Sequence, residues 1–198
     1  MEEHRQRQVE ALRVESEAQR ALMAGEESRA SFAGAAELYR ESWELAPPDA
    51  YGRLVGALKA AVLAGQGGDM AGYVRGEIVD PGESATAWYA LALAALTVGD
   101  DAEARAAAAR MEATSPGAPA GEGGGGPDPF VRTARAIDAL ATGDAAAYAE
   151  ALQAIVSDFE ARAHFVANVA VADTAVVLER LAAARGLATD VRSAVLPG

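Results

Sequence analysis

The chain has 198 residues, no cysteine and a formal net charge of -12 at pH 7. That length suffices for one compact domain or two small ones without covalent staples, and the missing cysteine excludes disulfides, thiol chemistry and thiolate metal sites. The acidic balance opposes phosphate backbones, so no nucleic acid is expected, and it favours a basic protein partner.

Alanine supplies about a quarter of the residues, and lysine occurs once, as Lys59. Ala, Leu, Glu and Arg dominate, no stretch alternates apolar with polar residues, and the chain is predicted to be all-α. It opens with a charged helix carrying Val9, Leu12 and Leu22, read as a solvated lead-in or a partner-binding arm, of which its low apolar content favours the former. No apolar segment of this opening resembles a secretory signal, and no run approaches the roughly 20 residues of a membrane span, so a cytoplasmic location and no membrane contact are expected.

Helix breaks then fall at Ala46-Pro47-Pro48-Asp49, Gly65-Gln66-Gly67-Gly68-Asp69, Asp80-Pro81-Gly82, Gly99-Asp100, Ser115 to Pro129 and Thr142-Gly143-Asp144. The Gly/Pro-rich stretch from Ser115 to Pro127 has linker composition and is predicted as an extended loop. It divides the chain into residues 1–116, a loop at 117–128 and a helical cap with a tail at 129–198. Helices are predicted there at about 129–142, 144–163 and 172–185, followed by an extended tail from Leu187.

Pro47, Pro81 and Pro116 recur at separations of 34 and 35 residues. Eight residues before them lie Tyr39, Tyr73 and Ala108, and twelve before them Ala35, Asp69 and Ala104. Trp88-x2-Leu91-Ala92-x2-Ala95 and the looser Tyr51-x2-Leu54-Val55-x2-Leu58 supply a second pattern. Together these residues resemble a tetratricopeptide repeat over about residues 15 to 116. The resemblance implies an N-terminal helix and about three degenerate antiparallel helix pairs, stacked as a right-handed superhelix and closed by the C-terminal cap. In that reading Trp88 and Leu91 pack against the following helix, Gly99 reverses the chain, Asp100 caps the next helix and Pro116 ends the unit. The resemblance also implies a peptide-binding groove lined by first helices, for which Gly56, Lys59, Tyr89, Leu93 and Leu96 are the candidates. A second resemblance lies in the C-terminal part: a Gly143-Asp144 turn, Tyr148 and a closing Leu196-Pro197 are similar in layout to a family of actinobacterial polymorphic-toxin immunity proteins.

Catalytic and cofactor motifs were weighed by mechanism. Gly121-x-Gly123-x-x-Gly126 has the glycine spacing of a dinucleotide fingerprint but no strand before it or helix behind it. Glu160 and His164, four apart on a predicted helix, give two metal ligands at most. Asp100-Asp101, Asp144 and Asp173 each precede a helix and read as caps. No nucleophile, base and orienting group assemble, so no catalytic, cofactor or metal residue is assigned. The expected function is non-catalytic protein binding. Alternatives are toxin neutralisation, or a helical small-molecule-binding protein or enzyme, which a pocket of converging polar groups would favour.

Overall fold

The computed structural model describes residues 2–115 and 128–198; among these the chain forms nine α-helices and no strand. They are α1 (Glu3–Met23), α2 (Arg29–Glu44), α3 (Gly52–Ala64), α4 (Gly67–Glu77), α5 (Ala85–Val98), α6 (Asp101–Thr114), α7 (Pro129–Thr142), α8 (Ala145–Glu160) and α9 (Asp173–Ala184). The predicted linker, with Pro116 and the Gly121-x-Gly123-x-x-Gly126 pattern, lies outside the described residues.

Two kinds of connection alternate along the chain. Helices α1, α3, α5 and α7 are each followed by a left-handed glycine: Gly25, Gly65, Gly99 and Gly143, with φ of 71°, 82°, 79° and 72°. In each turn the next N–H reaches back into the last helical turn, as Asp100 does to the Ala95 carbonyl at 2.9 Å. Such a φ costs an L-residue with a Cβ roughly 1–2 kcal/mol, which is why glycine recurs there. Asp100 and Asp144 then accept the N–H groups of Glu103 and Ala147, as expected of caps. Two of the other connections carry proline, α2 ending at Glu44 before Pro47 and α4 at Glu77 before Pro81, whereas residues 161–172 between α8 and α9 hold none.

The result is a series of helical hairpins, α1/α2, α3/α4, α5/α6 and α7/α8. Every helix from α1 to α8 packs on the next, and α3, α5 and α7 also touch in sequence, which puts them on one side. Trp88 on α5 donates its indole N–H to the Gly82 carbonyl at 2.9 Å and lies under Arg110 of α6, 5.4 Å from the ring centroid. It therefore meets the following helix, as its spacing suggested.

Three expectations need correction. The break at Gly25 was missing from the sequence reading, because α1 and α2 both carry many charges and no proline marks their junction. Consequently α1 is no solvated lead-in before three pairs: it is the first member of the first pair, with Ala11 and Ala18 fully buried. Tyr39 and Tyr73, equivalent in the repeat register, also differ in surroundings. Tyr39 is buried with its hydroxyl on Glu15, whereas Tyr73 is half-buried under Arg40, with its hydroxyl on Glu44.

Helix α9 leaves the neighbour order, packing against α3 and α7 as well as α8. Val177, Leu178 and Leu181 are buried there, and the non-helical tail is tied back by the Ala172 N–H on the Val195 carbonyl at 2.8 Å.

Glycine substitutions separate turn from helix. Gly99→Ala is expected to lower unfolding free energy by about 1–2 kcal/mol. Gly72→Ala, inside α4 where a Cβ meets nothing within 4 Å, raises it by about 0.5–1 kcal/mol. Urea unfolding of both variants measures the opposite signs.

Candidate functional site

A buried polar cluster forms where α1, α2, α3 and α9 meet. On α1, Ala11, Glu15, Ala18 and Gln19 share the buried face at helical spacing, so small residues flank a carboxylate. Tyr39 crosses from α2 and donates its hydroxyl to Glu15 Oε2 at 2.6 Å, while Gln19 donates to Oε1 at 3.3 Å. Gly56 on α3 makes room for that ring: a Cβ there would lie 3.1 Å from three of its carbons.

One turn further along α3, the Lys59 ammonium donates to Asp173 Oδ2 at 2.9 Å and to Thr174 Oγ1 at 2.8 Å. Its third side faces the Tyr89 ring, 5.5 Å from the centroid. Asp173 Oδ1 in turn accepts the Thr174 N–H at 2.8 Å. Burial is the largest single influence and favours the neutral amine, but the Asp173 carboxylate, Tyr89 and the Glu15 charge together hold the Lys59 pKa above the ordinary lysine range. Burial pushes the Glu15 carboxyl above its usual value, with the nearby Asp173 charge acting in the same direction. Burial and the Glu15 charge likewise raise the Tyr39 phenol.

A cavity of about 190 Å³ opens beside these groups, with Glu15, Tyr39, Lys59 and Asp173 on its polar side and Val55, Phe159 and Phe165 among its apolar walls. A larger open recess, about 500 Å³, runs between α6 and α8 over α7. Alanines of α6 and α8 line it, and two ion pairs, Arg105 with Asp138 and Arg135 with Glu112, tie α6 to α7 along it.

Of the five residues the sequence grouped as a groove, Lys59 and Tyr89 touch through the ammonium group, and Gly56, one turn away, packs on Tyr39. Leu93 and Leu96 have no exposed surface, and Tyr89 is buried edge-on to Phe130. The chain's own C-terminal part covers this side: Arg185, just after α9, donates to the Leu96 carbonyl at 2.5 Å and to Asp101 at 3.2 Å. A partner approaching the folded chain meets that segment instead of the two leucines.

Sequence reasoning overlooked Glu15, Gln19 and Thr174, and it read Asp173 as a cap. Asp173 is instead the first residue of α9, and its second oxygen reaches across to α3. The available signals were a lone lysine in an arginine-rich chain and a glutamate in an alanine stripe. Glu160 and His164 do not share a helix, since α8 ends at Glu160, whose carboxylate accepts the Ser193 hydroxyl at 2.6 Å. Among the described residues no group of three or more His, Asp or Glu side chains could hold a metal ion, and no helix is long and apolar enough to cross a membrane. No protein-family model, curated protein or solved structure matches the chain.

Removing one partner of a buried pair strands the other. Lys59→Met is therefore expected to cost about 3 kcal/mol, the low end for buried pairs because Asp173 keeps 27% of its side chain exposed. Adding Asp173→Asn recovers part of that loss in a double-mutant cycle. Glu15 gives a pH signature. Its folded pKa is raised, so above about 4.5 the folded state retains a proton that the unfolded chain has released. Its contribution is complete at low pH and is lost as pH rises, so Glu15→Gln gains stability relative to the parent chain with increasing pH. Paired urea melts from pH 4 to 8 read that difference.

Proposed function

We propose that the chain is a non-catalytic protein-binding module of stacked helix pairs, arranged like a tetratricopeptide-repeat array, whose partner docks as a helix in the recess between α6 and α8. The observation that carries this reading is the shape and chemistry of that recess. On α8, Ala147, Ala151 and Ala154 line it at helical spacing, and Ala108 and Ala109 face them from α6. Side chains this small let a helix axis approach to about 8 Å, the close end of helix packing.

The charges favour a basic occupant. Arg105 and Arg135 are engaged with Asp138 and Glu112, whereas Glu150 of α8, which also lines the recess, enters no ion pair among the described residues. The net charge of -12 adds long-range steering of a cationic protein, with association that slows as salt rises. The repeat resemblance had placed docking on the first helices of each pair. With α9 lying across that side, the α6–α8 recess offers a partner an open surface clear of α9.

Site-specific photo-crosslinking in cells tests the reading. A photoreactive residue at Ala109 or Ala151 is expected to yield one discrete protein adduct, lost on Ala154→Trp, while the same residue at exposed Ala30 on α2 yields none. No adduct from either groove position, or the same adducts from all three, overturns the assignment.

A further inference from the structure

The 190 Å³ cavity beside Glu15 has a charge balance that points to a ligand class. Lys59 is committed on all sides: two of its three donors go to Asp173 and Thr174, and the third faces the Tyr89 ring. An incoming anion finds no spare donor there. The other cation on the wall, Arg162, lies 3.7 Å over the Phe159 ring and is paired with Asp158 at 2.6 Å.

Glu15 differs. It accepts from a phenol and an amide, both neutral, and among the described residues it enters no ion pair. A carboxylate offers about four lone-pair positions, of which these donors use two. Buried carboxylates in folded proteins are paired, coordinated or neutralised; at this cavity burial favours the protonated form of Glu15, and an ammonium group entering beside Val55, Phe159 and Phe165 would take that proton's place. We propose that this cavity binds a small primary amine, with its ammonium group on the Glu15 carboxylate and its alkyl part against Val55, Phe159 and Phe165. The volume falls below the roughly 300–1,000 Å³ of sites for drug-sized ligands, which restricts the ligand to a short chain. Tyr39, held over Gly56, fixes the carboxylate, so the site is organised before the amine arrives. The inference is independent of the α6–α8 recess, and each stands or falls by its own measurement.

Calorimetric titration of the full chain at pH 7.5 with n-butylammonium, 1-butanol and butyrate tests it. Saturable binding of n-butylammonium at one site, with 1-butanol and butyrate at least tenfold weaker, is the expected result. Glu15→Gln should weaken the amine at least tenfold, whereas Glu83→Gln on the surface leaves it unchanged. Val55→Phe fills the cavity from its apolar side with Glu15 intact, and must also abolish binding, which keeps the test decisive should Glu15→Gln fold poorly. No saturable binding of the amine, equal binding of 1-butanol, or equal loss on Glu83→Gln would overturn the proposal.

Discussion

Lys59 places a full positive charge where α3, α5 and α9 meet, and the surrounding groups hold it there. An unpaired buried ammonium would cost several kcal/mol. Asp173 therefore has to lie within reach, and it does so only because α9 turns back across the stack after α8. The same pair thus fixes the start of α9 and covers the side on which Leu93 and Leu96 lie. Arg185 fixes its other end, so polar contacts at both ends hold a helix whose middle is apolar.

The alternation of glycine turns and proline connections sets the rest of the architecture. Within a hairpin, a left-handed glycine reverses the chain in the fewest residues, and the partner helices are locked face to face. Between hairpins, proline stops the helix and leaves a longer connection. The array accordingly has a side built by α3, α5 and α7, and α9 packs there on α3 and α7, with Lys59 of α3 reaching its first turn.

Much of this was legible in the sequence because single residues announce it. Gly99, Gly143, Pro47 and Pro81 each mark an element end by a backbone preference that needs no tertiary context, and all-α composition followed from helix propensity. What could not be read depends on distant partners. Glu15 and Asp173 look like any surface acids of a charged chain until α1 and α9 are placed beside α3. Gly56 reads as a groove residue until the Tyr39 ring is found against it. The register that aligned Tyr39 with Tyr73 is a pattern of spacing, and spacing says nothing of the residues supplied by other helices.

The return of α9 also changes how the chain comes together. In an open stack each unit needs only its neighbours, so stability propagates piecewise from one end to the other. Here residues far apart in sequence close the structure, as Ser16 does on the Ala167 carbonyl and Lys59 on Asp173. During synthesis the Lys59 ammonium therefore stays without its carboxylate until Asp173, 114 residues later, has left the ribosome.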